Sequence, residues 1–539
     1  MKNKLIILTA CALALASCSK PEEETTLPSS KGNPAFVFDY NKKQQTMHSF
    51  GASDCWRTKF VGVWPDEKRN AIADLLFSRE LDEKGSPKGI GLSMWRVNIG
   101  AGSSDAPDGA GVIYDWRKEQ CYLDKDGNWD WNKNAGSRWM LQAARDRGLE
   151  YSLGFSLSAP YFMTKNGKAI ASNNDAYCNL KPDKYGEFAE FLSEVCNKLQ
   201  FDYLSPINEP QWNWTNPAQE GMQATNQEVA KLCVELDKSL ERRNAKTMVV
   251  FGEAGSIDYL YMKNTNAPMR DNQIVEMFAP NGIHNISNLK HVAPIVSGHS
   301  YWTTWPLDQM ISKRKMLRQT IQTVLSPEFS YWQTEYNPME SNEDNPQGGN
   351  GRDLSINTAL YNARVIHYDL TCANAASWQW WTAFSEWNYK DALVYIDDGI
   401  SVNGASAYSN PLLETCKTDG VFRESKNLWT LGNFSRFIRP GMIRLGSVYG
   451  KDGGIKDNPK SLMASAYVDD ASKKLVVVVI NYGLTQKPIK LEFRGLPEGF
   501  DSEHYKMYVT SSSCDLEFKG ETDNEVMIPS RSVVTFVSE

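Results

Sequence analysis

The six histidines of this 539-residue chain are scattered, and none of its ten cysteines falls in a C-x-x-C or Cys/His cluster. Both absences argue against a zinc site or a metal-dependent hydrolase, whose ligands need that clustering, and no cofactor is expected. There is no basic run and the formal net charge is −7, which excludes nucleic acid as an expected partner. The apolar run from Leu5 to Ala16 is too short to cross a bilayer. With Lys2 and Lys4 before it and Ser17 and Cys18 after it, the run reads as a secretory signal over residues 1–17. Two cysteines belong to this leader region, Cys11 within the signal and Cys18 just after it. The other eight are Cys55, Cys121, Cys178, Cys196, Cys233, Cys372, Cys416 and Cys514, and their spacing assigns no disulfide, although an exported chain permits them.

Leu15, Ala16, Ser17 and Cys18 resemble the lipobox of bacterial lipoproteins, which implies lipidation at Cys18 after cleavage; an ordinary cleaved signal is the alternative. Residues 18–33 are polar, acidic and proline-containing, a composition suited to a tether holding a folded body off a membrane. Membrane contact is therefore expected only through a lipid anchor, at the outer membrane or cell surface of a Gram-negative bacterium or on its periplasmic face. The SKPEEE run also resembles the surface-export signal of Bacteroidetes lipoproteins.

About 500 residues beyond the tether exceed what one hydrophobic core usually organises, so a large and a smaller domain are expected. From 49 to 431 the chain alternates short apolar runs with helix-period segments, the pattern of parallel strands joined by crossover helices. Eight such runs begin with SFGASDCW, GLSMWRVNIG, YSLGFSLSAP and FDYLSPI, and continue with TMVVFGEA, APIVSGHSYW, FSYWQTEY and AASWQWW. Among the connecting helices, SRWMLQAARDRG is expected to start at Ser137 as N-cap and to stop at Gly148. Eight units predict an α/β fold, a (β/α)8 TIM barrel. From 432 to 539 short alternating runs with turn signals predict an antiparallel β-sandwich, to which 34–48 is expected to add a strand or two.

Two glutamates end barrel strands on opposite sides of the mouth. Glu209 follows the fourth run in SPINEPQWNW, and Glu335 ends the seventh in YWQTEYNPM. Cleaving a glycosidic bond takes two carboxyls in different environments, one to protonate the departing oxygen and one to attack the anomeric carbon or activate water. The 17 Trp, 23 Tyr and 21 Phe supply sugar-stacking surface, although most must be core.

GASDCW, WRVNIGAGSSD, SLSAPYFM, SPINEP, SGHSYW, QTEYN and SWQWW occur in the order in which glycoside hydrolase family 30 carries its strand-end motifs. The chain resembles that family over nearly its whole mature length. The resemblance implies a retaining β-glycosidase in which Glu209 is the acid/base and Glu335 the nucleophile, their carboxyls about 5 to 5.5 Å apart. Around them, Arg96 is expected to hold Glu335 ionised, Asn208 to bind the sugar hydroxyl beside the anomeric carbon, and His299 and Tyr301 to orient Glu335 or the sugar. Asp54, Trp56 and Asp105 are expected at the −1 end of the cleft, and Trp378 and Trp381 at its floor, with one of the tryptophans near 380 turned into the core. An oligo- or polysaccharide is the expected substrate, β-1,6-galactan first. Other β-linked activities of the family, namely β-1,6-glucanase, xylanase, glucosylceramidase and exo-β-glycosidase, are alternatives, as is a glycan-binding lipoprotein without turnover.

Overall fold

The computed structural model describes residues 33–404, 411–450 and 453–538. The secretory signal, Cys18 and nearly all of the tether lie outside the described residues. Among the described residues no helix is long and apolar enough to cross a membrane, and the eight cysteines from Cys55 to Cys514 are free thiols.

The first strand, β1 (Ala35–Thr46), precedes eight strands that close a barrel: β2 (Ser49–Ser53), β3 (Met94–Asn98), β4 (Tyr151–Phe155), β5 (Tyr203–Ser205), β6 (Met248–Ala254), β7 (Val292–His299), β8 (Ser330–Glu335) and β9 (Ala375–Trp380). Each pairs in parallel with the next, and β9 closes on β2. Alternation of side chains across each strand divides them between two layers. Met94, Leu153, Phe155, Val250 and Trp332 fill the barrel interior, while Trp95, Val97, Val249, Phe251 and Tyr331 pack toward the helices. Arg96, two residues above Met94, therefore points into the barrel near its mouth.

The helices start for local reasons. Asp66–Phe77 carries Asp66 and Glu67 in its first turn, where negative charge suits the helix dipole. The helix Tyr185–Leu199 buries Phe188, Phe191, Leu192 and Val195, and Asn226–Arg242 opens on a capping box between Thr225 and Glu228. Ser137 is not the N-cap expected of it. That helix runs Ala135–Asp146 with Asn134 at its N-cap, and Ser137 is buried in the first turn. The early start brings Gly136 against the segment 58–62, where a β-carbon on Gly136 would lie 2.1 Å from the Lys59 carbonyl oxygen. Gly148, at φ +86°, ends the helix as expected.

Beyond β9 the chain forms a small sheet, β10 (Phe384–Ser385), β11 (Val394–Asp397) and β12 (Val421–Glu424), for which the pattern carried no signal. The remaining strands are β13 (Ile443–Val448), β14 (Leu462–Asp469), β15 (Lys474–Asn481), β16 (Lys487–Arg494), β17 (His504–Thr510), β18 (Glu517–Asp523), β19 (Glu525–Ile528) and β20 (Ser532–Val537). With β1 they form one nine-stranded sheet in the order β18-β17-β20-β15-β14-β13-β1-β16-β19. Asn524 alone joins its two edge strands, so the sheet must fold back over its own core of Phe36, Val477, Leu491 and Phe536. Its outer face packs on the barrel through the helices Ile356–Thr371 and Lys426–Ser435.

Candidate active site

Four barrel strands, β3, β6, β7 and β8, together with the segments just after β5 and β7, bring seven side chains into a single hydrogen-bonded cluster at the barrel mouth. Arg96 is at its centre. Its Nη1 donates to Glu335 Oε2 at 2.7 Å, and its Nη2 to Asn208 Oδ1 at 2.8 Å and Glu253 Oε2 at 3.0 Å. The guanidinium lies 3.7 Å from the centroid of the Phe155 ring, which covers it from the barrel interior. His299, at the end of β7, lies with Nδ1 2.8 Å from Glu209 Oε1 and Nε2 3.0 Å from Glu253 Oε2. Tyr301 donates its hydroxyl to Glu335 Oε1 at 3.2 Å.

Irregular backbone makes this convergence possible. Glu209 has φ +44° and is held by its N–H to the Glu253 carbonyl and by Trp214 Nε1 to its own carbonyl. The β7/β8 register slips between Gly298 and His299, which lets Thr334 and Glu335 both reach the site. A second slip between β6 and β7, at Phe251 to Ala254, turns Glu253 inward.

The charges shape one another. Burial alone would lower His299, but the carboxylates of Glu335, Glu209 and Glu253 outweigh it and push the imidazole up to about 10. His299 is thus a cation, donating from both ring nitrogens. Burial pushes Glu335 above its ordinary value, opposed by His299 and Arg96 and reinforced by Glu209. Burial also works on Glu253, yet Arg96 and His299 win and hold it below the usual range.

Glu209, His299 and Glu335 each offer an atom within 4.8 Å of the others'. Histidine and carboxylates that are scattered in the sequence are therefore clustered in space, which corrects the premise used against a metal site. Both ring nitrogens are nevertheless committed to carboxylates, and the Arg96 guanidinium already neutralises Glu335, so the cluster has the character of a compensated ion network.

Other expected residues fall elsewhere. Trp56 and Trp381 meet edge to face at 5.1 Å, with Trp56 packed in the barrel-interior core beside the mouth. Trp378 is not part of the floor. It is fully buried between β9 and the helices, where Nε1 donates to Asp369 Oδ2 at 2.9 Å, and Trp380 faces the same layer. Two residues apart on one strand, they share a side, and that side is outward. Asp54 is buried, accepts from the Asn98 N–H at 2.8 Å and has its carboxyl pushed up by burial. Asp105 closes the loop 101–135 instead of facing the Glu209–Glu335 cluster, accepting from the Cys121 N–H and pairing with Lys133 at 3.0 Å. Just after Glu209, Gln211 bridges Arg270 and Gly255, and Trp212 packs edge to face on Tyr259. Glu253 stands near the end of the barrel-strand run TMVVFGEA, the one signal in the sequence that could mark it as a site residue.

A (β/α)8 barrel with carboxyls gathered at the C-terminal ends of its strands has the layout of a barrel glycoside hydrolase. The model of O-glycosyl hydrolase family 30 matches residues 34–395, and the chain belongs to that family. It is 22% identical over 506 residues to an endo-β-1,6-galactanase of Hypocrea rufa, spanning 89% of this chain and 86% of that protein. Glucuronoxylanase XynC of Bacillus subtilis is 24% identical over 381 residues, 66% of this chain and 67% of the relative. The crystal structure of a conserved exported protein from Bacteroides fragilis superposes with a TM-score of 0.84 at 35% identity, over 94% of this chain and 100% of the other.

Proposed function

We propose that this glycoside hydrolase is a retaining enzyme that cleaves β-1,6-galactan, exported and held to a membrane through a lipid on Cys18. The observation that carries the mechanism is that one carboxyl oxygen of Glu209 and one of Glu335 lie within 4.8 Å of each other. Inverting enzymes hold their carboxyls about 6.5 to 9.5 Å apart to admit a water, whereas at about 5 Å one carboxylate attacks directly. Glu335, oriented by Arg96 and Tyr301, forms a bond to the anomeric carbon as the glycosidic C–O bond breaks. Glu209 gives its proton to the departing oxygen, then takes one from the water that releases the glycosyl-enzyme. His299 occupies Glu209 Oε1, which leaves Oε2 to face the substrate. Asn208, fixed by Arg96, is placed to donate its amide to the neighbouring sugar hydroxyl.

The substrate reading leans on the Hypocrea rufa relative, whose match spans most of both chains. The purified protein and its Glu335→Gln variant are to be incubated with β-1,6-galactan, β-1,6-glucan and xylan, following the anomeric protons of the first products by NMR. Galacto-oligosaccharides appearing first as the β-anomer, from the parent protein only, are expected. An α-anomer appearing first overturns retention, and cleavage of xylan or glucan alone overturns the substrate.

A further inference from the structure

A two-carboxyl mechanism has no need of a third buried carboxylate, yet Glu253 is wholly buried among the groups that would perform it. Its Oε2 accepts from Arg96 Nη2 at 3.0 Å, from His299 Nε2 at 3.0 Å and from Thr334 Oγ1 at 3.2 Å. Its backbone carbonyl accepts the Glu209 N–H at 2.9 Å. One residue thus touches the cation that holds Glu335, the cation that holds Glu209, and the main chain of Glu209 itself. The fold goes out of its way to put it there. Glu253 has φ +38°, and it follows Gly252, whose φ is +121° and where a β-carbon would lie 2.2 Å from the Ser297 carbonyl oxygen. Ser297 Oγ takes the Glu253 N–H. Strained backbone of this kind persists only where the surroundings over-determine it.

We propose that Glu253 is a positioning residue that aligns Arg96 and His299 together, and through them Glu335 and Glu209. The proposal rests on the retaining-hydrolase reading. The charged and titratable groups around this carboxylate come from the neighbouring strands: Arg96 from β3 and His299 from β7 bond it directly, Glu335 from β8 and Glu209 after β5 share those two cations, and Tyr331 of β8 lies on its helix side. Tyr301 faces Glu335, and Asp54 and Cys55 lie beyond Arg96 after β2. Arg96 and His299 are matched by the carboxyls of Glu253 and Glu335. Without Glu253 the cations lose one of their partners, and releasing a proton from His299 becomes favourable.

The sign of the effect follows. In Glu253→Gln the alkaline limb of kcat/KM, where the His299 cluster loses its proton, moves to lower pH by about one unit or more. A galactan, with a poor leaving group, loses about tenfold or more beyond what a dinitrophenyl β-glycoside loses, because only the former depends on the acid. Glu253→Asp, which keeps the charge, retains the limb of the parent. A purely structural role would lower both substrates equally and leave the limb in place. A second measurement needs no substrate: the 15N signals of the His299 imidazole, assigned by their loss in His299→Gln, are expected to stay doubly protonated toward pH 10 in the parent and to titrate lower in Glu253→Gln. Silence on every glycan would sink the hydrolase reading while the imidazole titration still decided the role of Glu253. An unmoved limb with unmoved His299 signals, an Asp variant shifted as far as the Gln variant, or a parent His299 titrating at its ordinary value near 6.5 overturns the proposal.

Discussion

In β15 every position obeys the two-residue period. Leu475, Val477 and Val479 enter the core of the nine-stranded sheet, while Val476, Val478 and Ile480 face the core shared with the barrel helices. β6 begins the same way, with Val249 and Phe251 outward and Val250 inward, and then abandons the rule: the register slips and Glu253 turns into the barrel. Strict alternation maximises apolar burial on both faces and suits a strand whose work is cohesion. A bulge gives up a ladder hydrogen bond to re-aim one side chain, which is worthwhile where a carboxylate must meet partners from other strands. Stability in this molecule is built where the pattern is regular, and chemistry where it breaks.

Substitutions at the two kinds of strand separate those contributions. The largest effect is expected at the bulged end of β8, where Glu335→Gln lowers turnover of any cleaved substrate by about 10⁴-fold or more with little change in the denaturation midpoint. In β15, Val477→Ala is expected to do the reverse. It removes buried methyl groups and costs about 2 kcal/mol in denaturant unfolding, with kcat unaltered. A smaller contrast lies at the end of β9. Trp381→Ala is expected to raise KM about tenfold if its ring, at the mouth beside Trp56, stacks on the sugar as expected. Trp378→Phe leaves KM alone and lowers stability by about 1 kcal/mol through the lost bond to Asp369. Equal KM changes at the two tryptophans would erase the distinction drawn between the sides of β9.

The same contrast explains what could be read from the amino-acid sequence. All eight barrel strands stand where apolar runs alternate with helical periodicity, because those runs are buried on both faces and carry strong patterns. Glu209 and Glu335 were legible as carboxyls ending such runs. Glu253 was not, since simple alternation puts it on the same side as Phe251, among the helices, and only the slip at Gly252 reverses that. Trp378 misled because three tryptophans within four positions give periodicity no apolar and polar sides to separate. β18, EFKGETD, is largely solvent-facing and polar, so no hydrophobic alternation marked it as a strand. Asp105 stands near the expected −1 motif, but its fate depended on Lys133, a loop partner that spacing does not reveal.

The position of β1 in the nine-stranded sheet bears on how the chain is assembled. This strand leaves the ribosome before any part of the barrel, yet it pairs with β13 on one side and β16 on the other, Thr46 meeting Ile443 and Ala35 meeting Lys490. Pairings of such sequence separation form late and slowly, because the entropy of closing so long a loop is lost before the first strand hydrogen bond can compensate it. During synthesis the opening segment therefore stays an unpaired strand while the barrel closes behind it. The sheet takes in β1 only when β13 and β16 arrive, so strands made after the whole barrel are the ones that secure the strand made before it.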